Sequence, residues 1–243
     1  MLKEFIAHIQ ETTRPQVIKV GDTTFAVNSD GKANELRPMI DRPDALPLTS
    51  LDALVKLVRS EATGVETPLY ITIPDHLTVH CFGRPAAKER FYRQVYYVAN
   101  ATDVPGWDAK VTLPFEEMQI ALRTRFQETK DTPYVQKLLS EISTGAKITF
   151  NDNGVATTIV TKKGIDLQAN ETIRPIVSLR PYRTFQEVDQ PESVFLIRIN
   201  ERGISFIEAD GGMWKLKARE TVKTFLEDKL QKEIQDGAVI VAL

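Results

Sequence analysis

The chain has 243 residues, 42% of them hydrophobic and 26% charged, with 31 Lys and Arg against 33 Asp and Glu for a net charge of −2. That length is ample for one large domain or two small ones with their own cores, and the balance of charge excludes a global field that would draw the chain to nucleic acid or acidic membranes. A single cysteine excludes an internal disulfide framework and the cysteine-rich zinc patterns.

The opening MLKEFIAHIQETTRPQ lacks the continuous apolar stretch of a signal peptide. Leu2, Phe5, Ile6 and Ile9 repeat at helical spacing, which predicts a short amphipathic helix over 2–12. QVIKVGDTTFAVN then reads as two strands around Gly21–Asp22. Residues 28–48 carry Pro38, Pro43 and Pro47 and predict an extended arm, because proline removes donors and biases its predecessors away from helix. A helix follows over 50–62, with Ser50 as its cap and Leu51, Leu54, Val55 and Val58 on one face.

Residues 69–99 are strand-rich and predict a projecting hairpin region. Helices are expected over 114–128, opening at Pro114, and over 133–143. From 146 the pattern turns to strands: KITFNDNGVATTIVTKKGIDL as a hairpin or meander, ETIRPIVSLRPYRTF as a long strand, and a pair around Asn200–Gly203. The last helix, about 216–234, aligns Val222, Phe225, Leu226, Leu230 and Ile234, and AVIVAL reads as a closing buried strand. That apolar run is far too short to cross a bilayer, so a cytoplasmic chain with no membrane partner is expected. The expected class is α+β: an antiparallel sheet with covering helices, an extended N-terminal arm and the projecting hairpin region. Three segments follow, namely 1–48 (helix and arm), 49–145 (helix, hairpin, helix) and 146–243 (antiparallel sheet plus C-terminal helix).

The stretch IPDHLTVHCF, residues 73–82, holds two of three histidines and the cysteine. On a helix His76 and His80 would share a face and grip one zinc ion. Tyr70, Ile71, Thr72, Thr78, Val79 and Phe82 favour strand, and Pro74–Asp75 favours a turn. On a strand the two histidines sit roughly 13 Å apart, too far for one ion. Cys81 faces away from His80, which leaves a buried structural thiol as its expected fate. No metal and no cofactor are expected.

RFYRQVYYV, residues 90–98, interleaves arginine with aromatics in the manner of single-strand binders, and Arg90, Tyr92, Arg93 and Tyr96 are its candidate residues. Strict alternation puts Tyr92 with Tyr96 and Phe91 with Arg93 and Tyr97. In IRPIVSLRPYR, Val177 and Leu179 point one way and Arg174, Ser178, Arg180 and Tyr182 the other. With Arg183 these form a candidate phosphate-binding face, set against a plain polar outer face. Among the carboxylates, Glu116, Glu117, Asp152, Glu208 and Asp210 have no partner fixed by spacing, so no catalytic residue is assigned and an enzyme is not expected. The phosphate-cradling loop, the dinucleotide glycine fingerprint, the nucleophile elbow and the zincin motif are absent from the sequence. Asp210–Gly211–Gly212 before the last helix is a weak hint of an anion site.

The order SLDALVKLVRS, PLYITIPDHLTVHCFGRP, the loop bearing Trp107, LPFEEMQIALRTRF and the ending FLIRINERGISFIEADGGMWKLKARETVKTFLEDKLQKEI resembles the YfdQ-like family of phage and prophage proteins, over roughly residues 48–240. The resemblance implies a phage or prophage origin and an intracellular, early-gene type of role. It carries no catalytic residue over. The leading expectation is a non-catalytic protein that self-assembles into a ring or shell-like homo-oligomer, its arm and hairpin buried on neighbouring subunits. One alternative is a single-stranded nucleic-acid-binding accessory factor for phage recombination or replication. The other is an anti-defence protein that binds or degrades a nucleotide signal.

Overall fold

The computed structural model describes residues 2–6, 16–28, 30–36, 43–63, 68–86, 92–107, 111–143, 149–152, 157–160, 162–163, 166–167, 171–172, 174–200 and 202–243. The chain divides into two units, Met1–Pro43 and Asp44–Leu243.

In the first unit residues 2–6 are helical (α1); the rest of the helix expected over 2–12 lies outside the described residues. The strands β1 (Gln16–Val20), β2 (Thr23–Val27) and β3 (Ala33–Leu36) form an antiparallel meander in that order. Gly21 takes φ 59° in the first turn, a left-handed conformation that glycine adopts without a Cβ penalty. Part of the expected arm is thus a paired strand, since β3 bonds to β2 with Phe25 opposite Glu35.

The second unit opens on β4 (Leu46–Leu48) and α2 (Leu51–Glu61). Ser50 caps α2 by accepting the Ala53 N–H at 3.1 Å, and Asp52 in the first turn complements the helix dipole. Then come β5 (Leu69–Thr72), β6 (Thr78–Ala86) and β7 (Tyr92–Asn100). The next elements are α3 (Phe115–Thr124), β8 (Phe126–Gln127), α4 (Thr132–Ser143) and the short strands β9 (Thr149–Asp152), β10 (Thr157–Val160), β11 (Lys162–Lys163), β12 (Asp166–Leu167) and β13 (Glu171–Thr172). The chain continues with β14 (Ile176–Pro181), β15 (Ser193–Asn200), β16 (Gly203–Glu208), α5 (Trp214–Lys229), α6 (Gln231–Gln235) and β17 (Val239–Ala242).

The protein is α+β, with antiparallel and mixed sheets. A five-stranded sheet has the order β17-β5-β6-β7-β4, and a four-stranded sheet the order β16-β15-β14-β8. Both outer pairings of the larger sheet are parallel, β17 with β5 and β4 with β7. Each sheet has its own core. Leu51, Leu54, Val55 and Val58 of α2 pack with Ile71, Val79, Cys81, Val222, Leu226, Leu230 and Val239. Met118 and Leu122 of α3 and Val135, Leu139 and Ile142 of α4 pack on Val177, Leu179, Phe195, Ile197 and Phe206.

Three expectations are corrected by this arrangement. The helix expected over 114–128 ends at Thr124, because Phe126 buries its ring 4.7 Å from Trp107 and the Arg125 carbonyl accepts the Tyr182 N–H at 2.9 Å, drawing the segment into the smaller sheet. The C-terminal helix does not cover the sheet of the second half. That face is taken by α3 and α4, and α5 crosses back so that β17 can run parallel to β5. Finally, AVIVAL supplies an edge strand in which Val239 is buried and Ile240 is 44% exposed.

Candidate functional site

A cleft of about 280 Å³ opens beside the first turns of α5, lined by Glu192, Ser193 and Val194 from β15 and its approach, Asp210 from the turn, and Met213, Trp214, Leu216, Lys217 and Glu220. Trp214 begins the helix and is buried, with Ala218, Val222 and Leu226 following it at helical spacing.

Three segments distant in sequence meet at Trp214. The guanidinium carbon of Arg183 lies 4.3 Å from the indole centroid and 5.3 Å from that of Phe195. The His76 ring meets the indole edge-on at 4.8 Å, and Lys215 Nζ lies 5.7 Å away. His76 sits in the loop between β5 and β6. That loop is held by Arg219, whose Nε donates to the Ile73 carbonyl at 2.9 Å, and by Thr184, whose hydroxyl donates to the His76 carbonyl. Within the loop the Asp75 carboxylate accepts the Leu77 N–H at 2.7 Å, the side-chain-to-backbone bond that makes Pro–Asp a turn.

Arg183 is 7% exposed. Its Nη2 lies 2.7 Å from Glu208 Oε1 and its Nη1 donates to Ser193 Oγ at 3.2 Å. Burial pulls its pKa down, and Glu208 and Asp210 oppose that pull; guanidinium keeps its proton in proteins, so the group stays a paired cation. Its backbone is fixed by Gln190. The Gln190 Oε1 accepts from the Arg183 and Thr184 N–H groups at 2.8 and 3.1 Å, and its Nε2 donates to the Phe185 and Val188 carbonyls at 2.8 and 3.2 Å. One buried amide thus closes the loop that delivers Arg183 to the indole.

Two of the three carboxylates at the cleft are paired with a cation. Glu192 pairs with Arg180 at 3.1 Å and Glu220 with Lys217 at 3.7 Å. Asp210 accepts the Gly212 N–H at 3.0 Å. The Asp210 carboxylate thus takes the Gly212 N–H, and the Asp210 carbonyl takes the Met213 N–H, where the Asp-Gly-Gly turn hinted at an anion.

The candidate residues fall on two sheets. Arg90 lies outside the described residues, and Tyr92 opens β7. Arg93 stacks at 3.8 Å over Tyr70, on the face of the larger sheet away from the core. Arg93 and Tyr97 were expected to share a face. Between Cys81 and Phe82 the partner on β7 jumps from Tyr97 to Val95, which leaves Tyr96 as an extra residue of β7, so Tyr97 turns to the core while Arg93 turns out. Tyr96 packs beside the core and lies against Gly83, where an added Cβ would meet its ring at 2.2 Å. On the smaller sheet the expected alternation holds, with Val177, Leu179 and Pro181 buried and Ser178, Arg180 and Tyr182 half-buried. Arg174 lies over Tyr134 at 3.8 Å and pairs with Asp131 at 3.4 Å. Arg174, Arg180 and Arg183 thus each have a carboxylate partner.

Of the stretch IPDHLTVHCF, His76 lies in the loop and His80 on β6, in edge contact with Phe82 at 6.0 Å. The two do not share a helical turn. Among the described residues no group of three His, Cys, Asp or Glu side chains is placed to hold a metal. Cys81 is fully buried, and burial with the nearby Glu61 pushes its thiol up to about 12. Burial and the Glu61 carboxylate, which accepts its hydroxyl at 3.1 Å, push Tyr97 up to about 12 as well. Both stay protonated at neutral pH, and a protonated thiol is a poor nucleophile.

No helix among the described residues is long and apolar enough to cross a membrane. No family model, no curated protein and no solved structure matches the chain.

Proposed function

We propose that this is a non-catalytic protein that assembles with copies of itself, cytoplasmic and of phage or prophage origin as its resemblance implies. One observation carries the reading. No described residue of Met1–Pro43 is buried, yet the segment exposes Phe5 (62%), Val17 (66%) and Val20 (64%). A three-stranded sheet needs a packed apolar face for independent stability, and Ile18 and Val20, which share one face of β1, are both exposed, as at an interaction site. A second copy is the economical partner, because most soluble oligomers are symmetric homo-oligomers. The paired arginines of the smaller sheet weigh against a phosphate ligand there. The lone buried thiol of Cys81 suits a reducing compartment.

Light scattering on purified full chain at micromolar concentration, with and without nuclease, tests the reading. A mass that is a multiple of the monomer and insensitive to nuclease is expected; a single monomer peak would sink it.

Arg93 favours a second reading, single-strand binding. Its guanidinium lies on Tyr70 at the outer sheet face, an arrangement on which bases stack in single-strand binders. That reading requires salt-dependent retardation of an oligonucleotide that Arg93→Ala abolishes.

A further inference from the structure

We propose that β1 is the seam of the assembly, pairing antiparallel with β1 of a second copy about a two-fold axis through Ile18. The inference rests on the self-assembly reading and names its surface.

An edge strand presents a row of free N–H and C=O groups, and proteins guard such rows. Here the guards differ from edge to edge. Pro47 interrupts the donors of β4. Leu113 covers β16, exchanging both backbone bonds with Ile204 at 2.9 Å. The β8 edge is only two residues long. The outer edge of β17 is open, but it belongs to a unit that already has its own core. β1 is five residues long, against four for β3 on the other edge of the meander, exposed along its length and free of proline, and among the described residues no backbone group pairs with its outer edge.

The register follows from the turn. Val20 and Thr23 flank the two-residue loop and form its closing pair. In such a hairpin the closing pair and every second pair beyond it exchange hydrogen bonds, so the backbone groups of Val17 and Lys19 turn outward. A two-fold axis at Ile18 puts Val17 opposite Lys19 of the second copy, where those outward groups meet. It puts Ile18 opposite Ile18 and Gln16 opposite Val20, engaging all five residues. Shifting the axis to Lys19 would oppose two like charges, which destabilises a cross-strand pair. With the axis at Ile18 the four central strands of the merged six-stranded sheet carry a continuous apolar row, since Ile18 already faces Phe25 on β2.

Cysteine trapping tests the seam in the full chain, where Cys81 is buried and serves as an internal blank. Directly opposed residues in the wide, non-hydrogen-bonded position have Cα atoms about 4.5 Å apart, within disulfide reach. Ile18→Cys should therefore give a covalent dimer on mild oxidation. Gln16→Cys would sit about 13 Å from its own copy and should not. An equimolar mixture of Val17→Cys and Lys19→Cys should form the mixed dimer, which keeps the test open should Ile18→Cys fail to fold. Ile18→Lys, with an unchanged circular dichroism spectrum, should weaken association at least about tenfold, because it opposes two charges at the axis. If the wild type is oligomeric but neither Ile18→Cys nor the mixture is trapped, or Gln16→Cys is trapped equally, the seam is wrong and self-assembly stands. If the wild type is monomeric at every concentration, both fall.

Discussion

Arg183 is held between the face of Trp214, 4.3 Å from its guanidinium carbon, and the carboxylate of Glu208, 2.7 Å from its Nη2. One buried cation thus joins the smaller sheet to the first turn of α5. Removing one partner of a buried pair leaves the other uncompensated and costs about 3 kcal/mol. Arg183→Met should lower stability by that order in urea denaturation. Arg183→Lys keeps the charge but loses the planar fork and the stack, and should cost about 1–2 kcal/mol.

His76 predicts a pH dependence. Burial depresses its pKa below the ordinary 6.5; Asp75 opposes, and Lys215 and Arg183 add to the depression. The folded protein therefore favours the neutral ring, while the unfolded chain binds the proton more readily. Stability rises with pH wherever the unfolded state holds more protons. The contribution of His76 is complete above 6.5 and is lost as pH falls through the depressed folded value. The melting temperature of wild type should drop more steeply than that of His76→Gln between pH 7 and pH 5. Parallel curves would overturn the assignment.

Gly203 takes φ 140°, and a Cβ there would lie 2.0 Å from the Leu113 carbonyl oxygen. Backbone strain and a backbone clash combine, so Gly203→Ala should cost about 1–3 kcal/mol or more and loosen the bridge over the β16 edge. Gly106, where a Cβ meets nothing within 4 Å, is the control and should tolerate alanine with little change in thermal melting.

Cys81 should resist a thiol reagent in the native protein at pH 8 and react fully in denaturant, because it is fully buried with its thiol raised to about 12. Native labelling at the rate of a free thiol would contradict the packing of β6 against α2. The same measurement, followed over time, reports opening of the larger core.

Much of the local structure is legible in the residues alone. α2 announces itself through Ser50 and the spacing of Leu51, Leu54, Val55 and Val58, and the structure buries those four apolar residues. The turns at Gly21–Asp22 and before Gly203 are equally local, being matters of backbone freedom. The face of Arg93 is not legible, because a single extra residue of β7 between it and Tyr97 reverses the alternation on which such a reading depends. The destination of α5 is not legible either. Val222, Leu226 and Leu230 declare an apolar stripe, and a stripe does not say which sheet will receive it. The Arg183, Trp214 and His76 cluster draws on three segments far apart in the chain. Its only local trace is the unsatisfied chemistry of each residue: an arginine at an inward position of a strand's extension, a tryptophan at a helix start, a histidine in a Pro–Asp turn.

The return of α5 and β17 to the larger sheet sets an order of events during synthesis. β5, β6 and β7 leave the ribosome early, but the helix that covers them with α2 and the strand that flanks β5 follow only after the whole smaller sheet has emerged. The smaller layer holds all of its own parts by the end of β16 and is free to close first. The larger layer must wait with its apolar face incomplete, the state in which nascent chains are most prone to aggregate. A stop codon after β16 would therefore damage the layer begun first and spare the one begun second.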